Sequence, residues 1–360
     1  MDATAAILQQ QVREAMHAGT PLHIRAGGSK DFYGNACSGE LLDPCSHAGI
    51  VAYEPSELVI TARAGTPLAE LEATLDASNQ MLAFEPPHFG TGATIGGCVA
   101  AGLSGPRRAS AGAVRDFVLG ARLLSGGAEI AAFGGTVMKN VAGYDVSRLL
   151  VGSLGVLGVV LEVSLKVMPK PATEATLRFD MDQHSALQRM NVWGGQPLPV
   201  SATAWNGATG TGTGILHVRL SGARAAVAAA CSRLGGERLD EADAACFWHA
   251  LREHGDPYFA GDAPLWRLGL PATAAPVGLD GPQLIEWGGA QRWLRTHAAA
   301  AEVREQARAR GGHATLFRGS TDEHGVFTPL AAPIAAIHRR LKAEFDPAGI
   351  LNPGRLYPGL

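Results

Sequence analysis

Apolar positions along this chain recur at two spacings. Near the N-terminus Leu8, Val12, Ala15 and Met16 share one face of a 3.6-residue repeat, which predicts an amphipathic helix. Residues 21–25, P-L-H-I-R, read as a short strand that runs straight into Ala26-Gly27-Gly28-Ser29-Lys30. A further strand is predicted over Leu58–Ala62. Gly65-Thr66-Pro67 announces a helix, with Thr66 as N-cap and Pro67 at the first helical position, and Leu68, Leu71 and Leu75 follow at helical spacing. Phe117–Leu124 and Ala128–Ala132 flank Gly126-Gly127 and predict a hairpin. Leu161, Val163, Leu165 and Val167 alternate with Glu162, Ser164 and Lys166, the pattern of a half-buried strand, and Pro169 and Pro171 end it.

The change of pattern near 169–173 predicts a domain boundary. Beyond it, strands are predicted at Thr176–Phe179, 199–205, 215–220, Pro264–Leu270, Leu284–Trp293 and Ala314–Arg318, with helices at 183–192, 223–234 and 300–310. This β-α-β-β-α-β-like order predicts a ferredoxin-like α+β layer. A last helix, about Pro333 to Phe345, leads into F-D-P-A-G-I-L-N-P-G-R-L at 345–356.

Within the first part lies Phe89–Arg122, F-G-T-G-A-T-I-G-G-C-V-A-A-G-L-S-G-P-R-R-A-S-A-G-A-V-R-D-F-V-L-G-A-R. It holds too many glycines to predict a helix and too little charge for a solvated linker. Small residues expose backbone amides, and concave arrays of N–H groups hold anions without paired charges. The stretch reads as half of a dinucleotide cradle. Its spacing, Gly90-x-Gly92-x-x-x-Gly96, is neither the Rossmann fingerprint nor a P-loop. Three other stretches each carry a structural and a functional reading. Arg25–Lys30 is a tight turn or a second phosphate-binding edge to which Ser29 adds a hydroxyl. Gly152-x-x-Gly155-x-x-Gly158-Val159 is close packing or an approach to a flat ring. Asn352-Pro353-Gly354-Arg355 is a simple turn or a chain end that returns to the first domain, placing the Asn352 amide beside a cofactor edge.

The net charge of −3 gives no pull toward nucleic acid or an anionic membrane. Cys37, Cys45, Cys98, Cys231 and Cys246 form no C-x-x-C pair and no cluster of zinc or iron–sulfur spacing. Their odd number argues for reduced thiols in a cytoplasmic setting. The histidines show no ligand spacing, so no metal site is expected, and Trp266, Trp287 and Trp293 read as core. No basic region followed by an apolar one opens the chain, so no signal peptide is expected. The most apolar segment, Leu149–Leu161, is too short to span a membrane, so any membrane association runs through a partner.

Arg25–Lys30, G-A-T-I-G-G at 92–97, S-G-P-R-R at 104–108, Gly112, R-D-F-V-L-G at 115–120 and K-N-V-A-G-Y-D-V-S-R-L-L-V-G-S-L-G-V-L-G-V at 139–159 together resemble the FAD-binding domain of the vanillyl-alcohol oxidase type, the PCMH fold. F-D-P-A-G-I-L-N-P-G at 345–354 resembles the returning tail of FAD-linked oxidases. The short chain and I-E-W-G-G-A-Q-R-W-L at 285–294 are similar to the shorter FAD-binding subunits of three-subunit bacterial glycolate oxidases. The resemblance implies an α+β chain: a two-subdomain PCMH-type FAD-binding domain over 1–172, completed by the tail 338–360, and a small ferredoxin-like cap over 173–337. It also implies FAD, with the diphosphate on 26–30 and 92–97 and the ring facing the cap. The implied cofactor-binding residues are Arg25, Ala26, Gly27, Gly28, Ser29, Lys30, Pro87, Gly92, Ala93, Thr94, Gly96, Gly97, Ser104, Gly105, Arg107, Gly112, Asp116, Gly155, Gly158, Val159 and Asn352. Some relatives bind flavin covalently through a histidine in the first loop; Ser29 stands at that position here, so non-covalent FAD is expected.

The implied function is that of the FAD-binding subunit of a complex oxidising glycolate, or another 2-hydroxy acid, to glyoxylate or its counterpart. Without iron–sulfur ligands in this chain, electrons are expected to leave through a partner iron–sulfur subunit, alongside a longer FAD-binding catalytic subunit, toward membrane quinone. The expected setting is cytoplasmic, peripheral at the inner membrane through those partners. A substrate carboxylate needs a cation and its hydroxyl a proton acceptor; the candidates are Arg318, Arg267 and Lys139, with Tyr144. The larger catalytic relatives carry an H-x-G-D-G-N-x-H motif in the cap, and this sequence has none. Two alternatives stay open: a stand-alone FAD-dependent alcohol or sugar-acid oxidase, and a flavin-binding assembly subunit without turnover of its own.

Overall fold

The computed structural model describes residues 2–136, 145–207, 214–320 and 325–360. The chain forms two compact units. The first comprises Met1–Leu103, Ala113–Pro169 and Pro329–Leu360, and the second Ser104–Gly112 and Lys170–Thr328. The chain therefore leaves the first unit twice, once for a short excursion within the glycine-rich stretch and once for the bulk of the second unit.

The strands of the first unit are β1 (Leu22–Ile24), β2 (Glu40–Leu42), β3 (Ile50–Glu54), β4 (Val59–Arg63), β5 (Gln80–Met81), β6 (Val118–Leu124), β7 (Ile130–Gly134), β8 (Val159–Lys166) and β9 (Met168–Pro169). An antiparallel sheet runs in the order β3-β4-β8-β6-β7. β1 and β2 pair in parallel, and Leu351 of the tail bridges to Leu22 beside them. The N-terminal helix Ala3–Ala18, capped by Asp2, buries Ala5, Leu8, Val12 and Ala15 in a core shared with Leu22, Leu42, Leu124, Leu161 and Leu351.

Several expectations are modified by packing. The β8 alternation places Leu161, Val163 and Leu165 inside, but Val160 and Ser164 are buried too, because β8 is the central strand. The Ser164 hydroxyl is satisfied by that of Thr61 at 2.8 Å. The helix Leu68–Asp76 has Pro67, not Thr66, as its N-cap. Thr66 instead donates its hydroxyl to the Arg63 carbonyl (2.7 Å) and accepts from the Gly49 amide (2.9 Å). Ile95–Ala101 is helical despite Gly96 and Gly97. Thr94 caps it by accepting from the Gly97 amide, and a Cβ on Gly96 would fall 2.6 Å from that of Ala64. Close approach of this helix to β4 offsets the roughly 1 kcal/mol that each helical glycine costs.

The second unit contains β10 (Thr173–Met181), β11 (Val200–Gly207), β12 (Gly214–Gly222), β13 (Glu237–Arg238), β14 (Leu265–Gly269), β15 (Gln283–Glu286), β16 (Gln291–Arg295) and β17 (His313–Arg318). They form one sheet in the order β13-β10-β12-β11-β15-β16-β14-β17. β10 to β13, with helices Gln183–Gly194 and Arg224–Leu234, make a ferredoxin-like β-α-β-β-α-β unit. β14 to β17 repeat that strand order in reverse along the sheet, with Ala300–Ala309 as their helix, and the halves join edge to edge through β11 and β15. The predicted strand Leu284–Trp293 is in fact the β15–β16 hairpin. Its turn, Trp287-Gly288-Gly289, has positive φ at all three residues. The helix Glu241–Glu253 was not predicted; its buried stripe is only Trp248 and Leu251.

The excursion 104–112 is fastened to the second unit by side chains. Arg107 pairs with Glu174 at 2.5 Å and donates to Ser221. Arg108 lies over the Trp287 ring at 4.4 Å, Trp287 Nε1 donates to the Gly105 carbonyl, and Ser110 donates to that of Ser201.

Candidate cofactor cleft

β1 ends at Ile24, and the chain turns at once through Arg25–Lys30. Gly28 has φ of +70°, a conformation that favours glycine, and Arg25 Nε reaches across the turn to Asp31 at 2.6 Å. The second glycine turn, at Gly92, abuts the first at Gly27 backbone to backbone. The entry to β8 supplies the facing wall through Leu154, Gly155, Gly158 and Val159, and the tail adds Asn352 and Arg355. The cleft these segments surround, all within the first unit, holds about 850 Å³ including the space open to solvent.

Main-chain amides and the side chains of His23, Lys30, Asn352 and Arg355 give it polar groups. Among the described residues, no protein group accepts a hydrogen bond from the amides of Ala26, Gly27, Gly28 or Ser29. Amides without a protein partner are open to a ligand, and a consecutive run of them in a concave wall suits an anion. Lys30 Nζ lies at the same turn, donating to Ser29 Oγ and the His88 carbonyl. The donor set fits the diphosphate of a dinucleotide. The His23 imidazole is held below its ordinary range by burial, then by the nearby Arg355 guanidinium. It is a neutral group in the wall at neutral pH.

Of the residues expected at the cofactor, Arg25, Ala26, Gly27, Gly28, Ser29, Lys30, Gly92, Thr94, Gly96, Gly97, Gly155, Gly158, Val159 and Asn352 line this cleft. Pro87, Ala93 and Asp116 belong to the same unit but do not line it. Ala93 is buried, its carbonyl accepting from Leu68, and Asp116 accepts from the Ala113 amide at 2.8 Å. Ser104, Gly105, Arg107 and Gly112 lie in the second unit. The cleft is also lined by His23, Ile24, Asp31, Pro44, Ala64, Ala100, Ala101, Leu154, Val160 and Arg355, which sequence reasoning did not name as site residues. Leu154, within the quoted stretch 139–159, and Arg355, the last member of Asn352-Pro353-Gly354-Arg355, carried a signal.

Lys139 and Tyr144 lie outside the described residues. Arg267 and Arg318 stand on neighbouring strands, β14 and β17. Trp266, Leu268, Ala314 and Leu316 pack with Val303 and Ala307, so strand alternation turns Arg267, Trp293 and Phe317 to the opposite face. There Arg267 lies 5.7 Å from the Phe317 ring. His254 stacks on Phe259 with ring centroids 3.8 Å apart. Burial first, then Arg318, Arg267 and Arg295, hold His254 down to about 2, so it is neutral. The Glu286 carboxylate accepts from Trp293 Nε1 (2.6 Å) and Gln291 Nε2 (2.9 Å). Among the described residues, no group of histidine, cysteine and acidic side chains could hold a metal ion, and no helix is long and apolar enough to cross a membrane.

Residues 3–134 match the family described as FAD binding domain, and residues 290–356 match the C-terminal domain of FAD linked oxidases. An alkyldihydroxyacetonephosphate synthase structure superposes with a TM-score of 0.66 at 14% identity, covering 96% of this chain and 74% of that one, which establishes a shared fold. The protein is thus an FAD-linked oxidoreductase with a PCMH-type FAD-binding domain. Glycolate oxidase subunit GlcE of Escherichia coli (strain K12) is 47% identical over 353 residues, 98% of this chain and 97% of that one. This chain belongs to the GlcE family of glycolate oxidase subunits. Shorter similarities link it to glycolate oxidase subunit GlcD of Bacillus subtilis (44% over 84 residues, 23% of this chain and 18% of that one). A D-lactate dehydrogenase of Anaerostipes hadrus is 34% identical over 128 residues, 36% of this chain and 26% of that one.

Proposed function

We propose that the chain is the FAD-binding subunit of a complex that oxidises glycolate to glyoxylate, and that it works beside a longer flavin subunit and an iron–sulfur subunit. The observation that carries this reading is the run of unpartnered amides from Ala26 to Ser29 beside the Gly92 turn, in a chain aligned over 98% of its length with a GlcE subunit.

Bound FAD supplies a two-electron acceptor. The chain's own residues bind and orient. The Ala26–Ser29 amides would receive the diphosphate, and Lys30 would add a nearby positive charge. Gly155 and Gly158 let this wall pack closely on Asn352 and Leu123, where a Cβ would fall 2.7 and 2.6 Å from their side chains. Ser29 offers no ring nitrogen for attachment, which supports non-covalent FAD. In the second unit Arg267 and Arg318 are the cations for a 2-hydroxy acid carboxylate, with neutral His254 beside them. Conversion of glycolate to glyoxylate removes a hydride from carbon and a proton from the hydroxyl; Tyr144 is our candidate for receiving that proton.

One sequence feature favours a second reading, an assembly subunit that binds flavin without turning over substrate: the H-x-G-D-G-N-x-H motif of larger relatives is missing. Native purification followed by anaerobic addition of glycolate separates the two. Copurification with a longer flavoprotein and an iron–sulfur protein, and bleaching of this chain's flavin by glycolate, support the first. A complex in which only the partner's flavin bleaches supports the second. An isolated chain that makes peroxide from an alcohol contradicts both.

A further inference from the structure

The C-terminal tail touches two walls of the cleft, the first glycine turn with the strand before it and the β8 entry. Its backbone extends the β1 edge, with the Leu22 amide donating to the Ile350 carbonyl (2.7 Å) and the Asn352 amide to that of Leu22 (3.0 Å). The buried Asn352 side chain then joins two walls. Its Oδ1 accepts from the Ile24 amide, just before the first glycine turn, and its Nδ2 donates to the Leu154 carbonyl, both at 2.7 Å. Asn352 has φ of +42°, and a Cβ on Gly155 would fall 2.7 Å from its Nδ2, so the site has one accommodating shape. Three residues on, Arg355 donates to the Asp31 and Asn35 carbonyls at 3.0 and 2.7 Å, holding the far side of the first turn.

A buried ion pair sets where this tail begins. Lys342, in the helix Ala332–Phe345, is 7% exposed, and Asp346 is 1% exposed. Their charges meet at 2.6 Å. The Lys342 ammonium spends its other donors on the carbonyls of Val156 (2.9 Å) and Leu351 (2.6 Å), and the Asp346 carboxylate accepts from the amides of Ile350 and Leu351. Every polar group of the pair is therefore occupied, and its partners are the β8 entry wall and the two residues that precede Asn352. A buried pair contributes little net stability against an apolar substitute but fixes geometry closely.

We propose that Lys342 and Asp346 are positioning residues for the cofactor. They act through Asn352, so that docking of the tail and binding of FAD strengthen each other. This inference rests on the cleft being the FAD site. Coupling of this kind is reciprocal: whatever the docked tail adds to FAD affinity, FAD adds to tail docking.

Hydrogen exchange on the full-length chain, with and without saturating FAD, tests it. The Leu22, Ile24 and Asn352 amides should slow by about tenfold when FAD is added, while the β10–β12 ladder of the second unit stays within about twofold. Lys342→Met should release FAD about tenfold faster and shrink that FAD-induced slowing. Equal exchange of the three amides with and without FAD overturns the coupling, even if Lys342→Met does not fold. A control variant, Gly92→Val, separates the two readings. If it loses FAD while the wild-type tail shows no coupling, the cleft reading stands and this inference falls. If it keeps wild-type FAD affinity, both fall.

Discussion

Gly27 and Gly92 occupy each other's side-chain space. A Cβ on Gly27 would fall 1.7 Å from the Gly92 carbonyl oxygen, and a Cβ on Gly92 would fall 2.6 Å from that of Gly27. The obstacle in each case is backbone, which no rotamer change relieves. Each position therefore has to be glycine, because the other turn's backbone fills the space a Cβ would need.

Gly27→Ala is expected to part the two turns at a cost of about 1–3 kcal/mol or more, the usual range for overpacking. The purified variant should carry less than about a tenth of the wild-type flavin per chain, with little change in its far-ultraviolet circular dichroism. Wild-type flavin content would show that the turns are free to separate without loss of the site.

Arg107 belongs by its contacts to the second unit, where its nearly buried guanidinium meets a Glu174 that keeps partial access to water. Arg107→Ala should lower stability by about 2 kcal/mol, between the values for exposed and buried pairs. Flavin per chain should stay at the wild-type level. A fall in flavin content with unchanged melting would return Arg107 to the cofactor.

His217, on β12, stacks against Phe247 at 3.9 Å between ring centroids, and its buried Nδ1 has no partner among the described residues. Burial first, then Arg178, pushes it down to about 4 from 6.5. The unfolded chain then binds more protons below about pH 6.5, so this contribution to stability is present above that pH and is lost as pH falls toward 4. At pH 5 the loss is about 2 kcal/mol. The melting temperature of His217→Leu should fall less between pH 7.5 and 5 than that of the wild type. Parallel pH profiles would mean that His217 protonates as easily folded as unfolded.

Glu286 closes the β15–β16 hairpin by accepting from both Trp293 and Gln291. Glu286→Leu leaves two buried donors unpaired and should cost about 2–4 kcal/mol by chemical denaturation, whereas Glu286→Gln keeps an acceptor and should cost less than half as much. Equal losses in the two variants would show that the hairpin depends on charge rather than on the acceptor.

The glycine turns were legible because their signal is local: Arg25–Lys30 and Gly92–Gly97 name their own conformation by composition. The amphipathic face of Leu8, Val12 and Ala15 and the alternation of Leu161–Val167 were legible for the same reason. Features set by tertiary contact were not. Gly96 sits in a helix because Ala64 leaves no room for a side chain. Residues 104–112 join the second unit through Arg107 and Trp287, partners remote in sequence. Lys342 looks like one more solvated cation of a C-terminal helix; only the fold shows it buried on three carbonyl and carboxylate oxygens.

A crystal structure of the chain grown with FAD tests the central claim most directly. The account predicts diphosphate oxygens about 2.7–3.2 Å from amide nitrogens of Ala26–Ser29, beside the Gly92 turn. A diphosphate held elsewhere, or held by side-chain cations while those amides stay hydrated, would contradict it.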